Sequence, residues 1–282
     1  MKITNKLNMP KAIIEALDND YQYQPHRYSV TELLNGTRQI ILTRKYNDEL
    51  TRDAADSITA LIGTALHSIF EMHNEGNIIN EFKMEIPVGI DTVVGKADYV
   101  DPDNLIIGDY KTTSVSKVMK NDFTDWEMQL RAYAYMYWKI YDKRIKECKI
   151  HCILKDWSKV KLSTSNGNYP ASPYYEYSFK IVDSDLIEIE KFLNLKLREI
   201  RENEFKDDAD IIECTDAEKW YSGTTWAVYK KEGDKKATKV FTNETDANLF
   251  SQEIGGFVVE RRGQCLKCDL YCDCAKKCLR KE

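Results

Sequence analysis

Residues 95–111 have the sequence GKADYVDPDNLIIGDYK and predict a β-hairpin. Asp98 lies in the first extended run, and a polar turn containing Pro102 separates it from a second run that ends in Asp109, Tyr110 and Lys111. Because successive side chains of a strand point to opposite faces, we expect Asp109 and Lys111 to share a face and Tyr110 to point away from it. The stretch therefore predicts a hairpin that carries two carboxylates and an amine.

The pairing of the two runs decides what these groups can do. If the first strand brings Asp98 beside Asp109, two carboxylates form a hard, oxygen-rich pocket with the Lys111 ammonium next to it. Oxygen ligands of this kind suit Mg²⁺ or Mn²⁺. The residues alone leave a salt-bridged structural hairpin open as the alternative.

The segments on either side of the hairpin predict two helices and two further strands. Residues 56–75 predict a helix with a buried apolar side, in which Gly63 would let another backbone approach closely and His67 would project beside the apolar side. Residues 124–141, TDWEMQLRAYAYMYWKIY, predict a second helix on which Gln129 and Tyr133 are four residues apart and can reach one site. The apolar side of the first helix comprises Ile58, Leu61, Ile62, Ala65, Leu66 and Ile69.

The remaining strand patterns place the hairpin within a larger sheet. EFKMEIPVGI and DTVVGKADYV read as two strands joined near Gly89, so that with NLIIGDYKTT they form a three-stranded meander. IKECKIHCILKDW alternates, which places Cys148 and Cys152 on the buried face of a central strand as small hydrophobic residues. Residues 183–203 predict an amphipathic helix, and residues 225–242 predict a hairpin.

Composition bounds the class of protein. Hydrophobic residues make up 43% of the chain and charged residues 31%, which predicts a packed core rather than a disordered chain. We expect three regions: an N-terminal helical segment (1–55), a core (56–213), and a hairpin, short helix and cysteine-rich tail (214–282). The sequence has no run of 18 apolar residues and no apolar signal core at its N-terminus, so we expect no membrane partner and a cytoplasmic location in a bacterial cell or a phage-infected host.

Eight cysteines are present, and five of them lie in the last eighteen residues. Such crowding without a secretion signal predicts a soft metal site rather than disulfides. The tail cysteines are Cys265, Cys268, Cys272, Cys274 and Cys278, and Cys214 stands alone in the preceding linker.

The order of four motifs carries a family resemblance. A helix with GTALH, a strand with GKAD, a strand with DYK and a helix with QLRAY follow one another between Gly63 and Tyr133. This order resembles the PD-(D/E)XK nuclease superfamily, and in particular its RecB-type branch, which includes helicase-nuclease subunits and CRISPR-associated exonucleases with cysteine clusters. The resemblance implies an α/β, restriction-endonuclease-like core, with a central mixed sheet flanked by helices and a small C-terminal cysteine metal module.

The resemblance also implies roles for individual residues. Asp98 matches the family's first metal-binding aspartate, and Asp109 and Lys111 match the acidic residue and the lysine of the second motif. The proline that usually precedes the first aspartate in the family is replaced here by Lys96-Ala97. The implied metal ligands for Mg²⁺ or Mn²⁺ are His67, Asp98, Asp109 and the Tyr110 carbonyl. The implied catalytic group is Asp98, Asp109, Lys111, Gln129 and Tyr133.

The cysteine tail matches the same branch only in part. Cys265, Cys268 and Cys274 have the C-x2-C-x5-C spacing that holds three corners of a [4Fe-4S] cluster in these relatives. The relatives' fourth cysteine lies upstream of the helix histidine, and residues 1–147 of this chain contain none. Two alternatives stay open: Cys278 or Cys272 completes the iron–sulfur site locally, or Cys265, Cys268, Cys274 and Cys278 bind Zn²⁺. A local site would staple only the tail.

The charge pattern bears on the partner. The net charge of −5 disfavours a uniformly positive nucleic-acid-binding surface, although a nuclease needs only a local basic groove. Basic residues around the tail cysteines could contact phosphates or could form an ordinary solvated tail; they are Arg261, Arg262, Lys267, Lys276, Lys277, Arg280 and Lys281.

These features together predict a metal-dependent DNA nuclease that acts as an exonuclease on single-stranded or duplex ends in recombination, repair or phage DNA processing. A structure-specific endonuclease or an RNA nuclease is the nearer alternative, and a non-catalytic DNA-binding or scaffold subunit is the alternative from another class. The chain has no G-x-x-x-x-G-K-[ST] phosphate loop, so unwinding would require a helicase or recombinase partner.

Overall fold

The predicted hairpin of residues 95–111 forms from two antiparallel strands in the computed structural model, which describes residues 1–17, 22–73 and 76–278. Its ladder pairs Tyr99 with Gly108 and Asp101 with Ile106. The Asp101 carboxylate accepts the backbone N–H groups of Asp103 and Asn104 at 3.1 and 3.0 Å, which closes the turn. The hairpin prediction is confirmed.

Strands and helices are numbered here in chain order across the described residues. The strands are β1 (Lys2–Thr4), β2 (Arg27–Ser29), β3 (Thr51–Asp53), β4 (Ile79–Val88), β5 (Asp91–Asp101), β6 (Ile106–Thr113), β7 (Glu147–Leu154), β8 (Tyr174–Lys180), β9 (Thr225–Tyr229), β10 (Lys239–Phe241) and β11 (Phe257–Arg261). The helices are α1 (Lys11–Leu17), α2 (Val30–Leu33), α3 (Thr37–Lys45), α4 (Ala54–Glu71), α5 (Val115–Met119), α6 (Thr124–Tyr141), α7 (Lys159–Thr164), α8 (Asp183–Asn203), α9 (Asp216–Lys219), α10 (Glu244–Ile254) and α11 (Leu266–Leu270).

The central sheet of the described chain has six strands and is mixed. β4, β5 and β6 form the predicted antiparallel meander, β7 runs parallel to β6 after the α6 crossover, and β8 returns antiparallel to β7. β2 joins β5 in parallel at Thr92–Val94. With helices against this sheet, the fold is the α/β, restriction-endonuclease-like architecture that was expected.

The core lies between the sheet, α6 and α8. α6 buries Leu130, Ala134 and Met136 against the strands, and α8 packs on α6 through residues such as Ile189 and Leu197. Complete burial of such side chains contributes about 1.5–3 kcal/mol each through the hydrophobic effect. The alternation along β7 is confirmed, because its buried residues are Cys148, Ile150, Cys152 and Leu154.

The apolar side of α4 is less buried than expected. The helix begins at Ala54, where the Asp53 side chain accepts the Ala55 backbone N–H, and it buries only Ala54 and Ser57. Ile62 and Ile69 remain 46% and 47% exposed. The expectation of a buried stripe on α4 is wrong because the helix contacts the sheet near its C-terminal end, through Phe70 on the Tyr110 ring, rather than along its length.

Gly63 on α4 also departs from expectation. No heavy atom would lie within 4 Å of a Cβ at this position. The close backbone approach predicted at Gly63 is therefore wrong. Residues 74 and 75, which the predicted helix included, lie outside the described residues.

The C-terminal region forms a second, three-stranded antiparallel sheet in the order β10-β9-β11, with α10 packed against it. The predicted hairpin and short helix are both found here. The cysteine tail that follows lies against α2, α3 and β3 through an Arg52–Asp273 ion pair, Lys277 to Glu49 at 2.5 Å, and Lys267 to Asn35 at 2.9 Å.

Residues 1–55 contain α1, α2 and α3 and also three short strands, of which β2 belongs to the central sheet. The boundaries proposed at residues 55 and 213 stay a prediction. None of the helices in the described ranges is long and apolar enough to cross a membrane.

Candidate active site

Asp98 and the Asp109–Lys111 segment meet where the β5–β6 ladder ends. The last paired residues are Tyr99 and Gly108, and beyond them the Asp98 carboxylate accepts the Tyr110 backbone N–H at 2.6 Å. The predicted juxtaposition of the two motif strands is therefore present. The Tyr110 side chain points away from Asp109 and packs against His151 and Phe70, as strand alternation requires.

His67 reaches this point from α4. Its Nδ1 lies 3.2 Å from Asp98 Oδ1, and the hydrogen bond with Asp98 raises the His67 pKa, against the opposing effect of burial. The sequence predicted that His67 and Asp98 would converge, and the structure brings them together.

Glu81 is a third member of this group that the sequence analysis missed. His67, Glu81 and Asp98 each offer a ligand atom, and these atoms lie within 4.8 Å of one another. Glu81 lies on β4 with a φ of 52°, a conformation that is costly for a residue with a side chain and that concentrates at functional sites. A signal was available, because pairing β4 with β5 about the Gly89 turn places residue 81 opposite residue 98.

Asp109 belongs to a second, deeper group. Asp109 Oδ2 lies 2.6 Å from Lys111 Nζ, and Gln129 Nε2 donates to Asp109 Oδ1 at 3.4 Å. Lys111 Nζ also donates to Gln129 Oε1 at 3.3 Å, and Gln129 Nε2 contacts the Tyr133 hydroxyl at 3.0 Å. Four of the five residues predicted as the catalytic group thus form one connected cluster, and the fifth, Asp98, lies in the group with His67.

The buried Asp109 carboxylate would be stabilised by a further positive charge. The side chain is buried, and burial raises its pKa to about 6 despite the nearby Lys111 ammonium. Asp109 Oδ2 makes an ion-pair contact with Lys111 but has no partner with hydrogen-bond geometry. A buried carboxylate oxygen that accepts no hydrogen bond can serve as a ligand of a cation. The donor set of imidazole and carboxylates fits Mg²⁺ or Mn²⁺.

The glycine at position 95 in the GKAD motif has a steric explanation. A Cβ at this position would lie 2.8 Å from the ring of Tyr133. The absence of a side chain lets β5 approach α6 closely, which holds Tyr133 and Gln129 near the carboxylates.

The described site opens into a cavity of about 810 Å³, next to a second cavity of about 750 Å³. The site residues that line the first cavity are His67, Asp98, Asp109, Lys111, Gln129 and Tyr133. The two cavities share Ser29, Thr31 and Gln129 as lining residues. The second cavity extends between α6 and the C-terminal tail. Its lining includes four aromatic residues and a lysine: Tyr23, Trp126, Trp220, Tyr271 and Lys267. The exposed rings of Trp220 and Tyr271 lie 5.3 Å apart.

The predicted tail ligands are distributed over α11 and the turn after it. Cys265 and Cys268 are one helical turn apart, and Cys274 is buried with its sulfur 3.5 Å from that of Cys272. The Cys274 thiol lowers the Cys272 pKa to about 7, and Arg38 Nε donates to Cys278 Sγ at 3.1 Å. The ligand set Cys265, Cys268, Cys274 and Cys278 stays a prediction.

The predicted basic patch is partly engaged within the protein. Lys277 pairs with Glu49, Lys267 lies over the Trp220 ring, and Arg261 bonds the Tyr229 hydroxyl. Arg280 and Lys281 lie outside the described residues.

A family model described as the PD-(D/E)XK nuclease superfamily matches residues 22–210. Three crystal structures align with parts of the chain. A protein named SSO0001 is 18% identical with a TM-score of 0.46 (67% of this chain, 82% of that chain), and the alkaline exonuclease LHK-Exo from Laribacter hongkongensis is 8% identical with a TM-score of 0.40 (63% and 89%). A phage-related exonuclease from Haemophilus somnus 129PT is 11% identical with a TM-score of 0.35 (58% and 78%). No curated protein matches the chain in sequence.

Proposed function

Because the chain belongs to the PD-(D/E)XK nuclease superfamily, we propose that it is a metal-dependent DNA exonuclease that hydrolyses phosphodiester bonds at DNA ends. The observation that carries the proposal is the buried Asp109 carboxylate, which contacts Lys111 and is near enough to Asp98 and His67, two members of the His67–Glu81–Asp98 group, for their charges to act on it. A structural salt bridge would need only Asp109 and Lys111. The additional ligand atoms indicate a site that holds a divalent cation.

His67, Glu81, Asp98 and Asp109 would hold Mg²⁺ or Mn²⁺, with the Tyr110 carbonyl as a further predicted ligand. A bound divalent cation supplies charge neutralisation at the scissile phosphate and activation of water. Lys111 lines the same cavity as His67, Asp98 and Asp109. Its ammonium, which contacts Asp109, would stabilise negative charge that develops on the phosphate oxygens. Gln129 fixes the Lys111 ammonium, and Tyr133 in turn contacts Gln129.

The second cavity would receive the strand that leads to the scissile bond. It adjoins the first cavity at Gln129, and its exposed aromatic rings could stack on bases while Lys267 meets the backbone. A path lined by stacking side chains suits a single strand more than a duplex, since the bases of a duplex stack on one another and do not expose their faces. The resemblance of the motif order to the RecB-type branch supports action at ends, in recombination, repair or phage DNA processing, with a helicase or recombinase partner for unwinding.

The test uses end-labelled linear DNA, both single-stranded and duplex, and covalently closed circular DNA, each with Mg²⁺ or Mn²⁺. We expect mononucleotide or short-oligonucleotide release from linear DNA only, and loss of cleavage in Asp109→Asn. Glu202→Gln, which changes an exposed carboxylate on α8, is the matched control and should cleave like the wild type.

Each alternative has its own signature in this assay. Cleavage of closed circles would reject exclusive exonuclease action, and preference for RNA of the same sequence would reject the DNA assignment. Binding of DNA without any cleavage by the wild type would favour the scaffold alternative.

A further inference from the structure

Cys214 precedes α9 and is distant in sequence from the cysteine tail, yet its thiol lies beside the tail. The side chains of Cys268 and Cys278 are close enough to Cys214 to act on its charge. Cys278 acts in the same way on Cys274, which is 1% exposed. Four thiols from two separate parts of the chain therefore form one continuous group.

This cluster of thiols lies at the N-terminus of α3. Gly36 is the N-cap residue of α3 and has no side chain to cap the helix. The Cys214 sulfur occupies that space, 2.7 Å from the position that a Gly36 Cβ would take, and it accepts the Gln39 backbone N–H. A sulfur at a helix N-terminus is stabilised as the thiolate, which is the metal-binding form.

The other sulfurs of the group also meet the first turns of α3. Arg38 Nε donates to Cys278 Sγ at 3.1 Å, and Cys274 Sγ lies 3.9 Å from the Gln39 carbonyl. A guanidinium donor at Cys278 and an amide donor at Cys214 are contacts suited to anionic sulfur.

We propose that Cys214 is a ligand of the metal centre in the tail, together with Cys268, Cys274 and Cys278. Cys214 thus takes the place of the upstream cysteine that residues 1–147 do not contain.

The spacing of the sulfurs bears on the kind of centre. A tetrahedral Zn²⁺ with bonds of about 2.3 Å holds its sulfurs roughly 3.8 Å apart. In the described part of the chain, no three cysteine sulfurs lie within 4.8 Å of one another. An iron–sulfur cluster separates its thiolates by a larger inorganic core, so reconstitution with each metal distinguishes the two kinds of centre.

The consequence is a centre that joins the tail to the core. Arg38 also donates to the Ile211 carbonyl at 2.6 Å, so α3 contacts the segment that carries Cys214. A metal bound by Cys214 and the tail would therefore clamp the α8–α9 connection, α3 and the C-terminal residues together. The expected local site would have stapled only the tail.

The first experiment measures metal by elemental analysis and visible absorbance after anaerobic purification and reconstitution with iron and sulfide or with Zn²⁺. We expect absorbance from thiolate-to-iron charge transfer in the wild type. Cys214→Ala should retain at least about tenfold less metal, because removal of a residue that only hydrogen-bonds to a metal ligand already weakens metal binding by about tenfold or more. Cys148→Ala, which removes a thiol from β7 in the central sheet, is the control and should retain the metal. Full retention in Cys214→Ala would overturn the proposal, as would uptake of neither metal by the wild type.

The second experiment needs no variant and so is independent of folding defects. The loaded wild-type protein is treated with a thiol-alkylating reagent before and after chelation, and each cysteine is followed by peptide mass spectrometry. We expect Cys214, Cys268 and Cys278, which are partly exposed, to gain reactivity in step with metal release, whereas the buried Cys274 should react more slowly. Alkylation of Cys214 while the metal is retained would contradict its role as a ligand. Both readouts are metal and thiol chemistry, so they stand apart from the outcome of the nuclease assay.

Discussion

At the scale of single residues, the clearest addition to the site is Glu81. Its carboxylate completes a group with His67 and Asp98, whereas Lys111 and Gln129 engage Asp109. The site therefore has an outer part that can bind a cation and an inner part in which Asp109 and Gln129 hold the Lys111 ammonium. This division predicts that loss of Glu81 affects metal binding more than the chemical step.

We expect Glu81→Gln to raise the Mn²⁺ concentration for half-maximal cleavage by about tenfold, because one charged oxygen ligand becomes neutral. The rate at saturating Mn²⁺ should change little. Cleavage of labelled linear DNA across a Mn²⁺ titration measures both quantities, with Glu202→Gln as the exposed control. A lower saturating rate with an unchanged metal requirement would place Glu81 outside the metal site.

His151 gives a stability prediction on the opposite face of the sheet. Its ring nitrogens lie 2.8 Å from the hydroxyls of Tyr99 and Tyr174, and burial lowers its pKa. The unfolded chain therefore binds a proton at His151 more readily than the folded chain. Stability from this residue is present above about pH 6.5 and is lost as the pH falls below that value.

We expect the wild type to lose more unfolding free energy than His151→Gln between pH 7.5 and 5.5. Urea unfolding of both proteins at the two pH values measures the difference. Titration of Asp109 and His67 is common to both proteins and cancels in the comparison. An equal loss in the two proteins would show that His151 is not responsible.

At the scale of secondary structure elements, two glycines differ in the space around them and predict opposite effects of substitution by alanine. A Cβ at Gly108 on β6 would lie 1.9 Å from the Tyr99 ring, whereas one at Gly63 on α4 would meet no atom within 4 Å. Gly108→Ala should therefore displace the Tyr99 ring and destabilise the protein by about 1–3 kcal/mol. Gly63→Ala should stabilise it by about 0.5–1 kcal/mol, since alanine is the better helix former.

Denaturant unfolding of the two variants beside the wild type checks both signs. A destabilised Gly63→Ala protein would mean that α4 is packed more closely than its exposed Ile62 and Ile69 indicate. An unchanged Gly108→Ala protein would mean that β6 can move away from Tyr99 without cost.

The elements also show which structural information is local in the sequence. β7 and the β5–β6 hairpin were predictable because alternation and turn residues are local patterns. The positions of Asp98, Asp109 and Lys111 followed from these strands. Glu81 and Cys214 were not identified, since their roles depend on strand register and on packing between distant segments. The exposure of α4 was missed because periodicity reveals an apolar face but not whether another element covers it.

At the scale of the whole molecule, the two cavities and the tail form one connected region. The catalytic cavity meets the second cavity at Gln129, and the second cavity ends at Trp220 and Tyr271 beside the proposed metal centre. The overall net charge is −5, so long-range attraction of DNA by the whole surface is weak. Stacking on exposed rings can supply affinity that does not depend on net charge.

This arrangement predicts a dependence on substrate length. The Trp220 ring is 45% exposed, faces Tyr271, and has Lys267 Nζ 5.7 Å from its centre. Loss of one stacked base costs about 1–3 kcal/mol, so Trp220→Ala should lower kcat/KM on single strands of about 20 nucleotides by roughly 5- to 150-fold. A nitrophenyl ester of thymidine monophosphate reaches only the catalytic cavity and should be cleaved at the wild-type rate. Phe205→Ala, which removes a 92% exposed ring elsewhere, is the control. Equal losses on both substrates would show that Trp220 supports the fold rather than the strand.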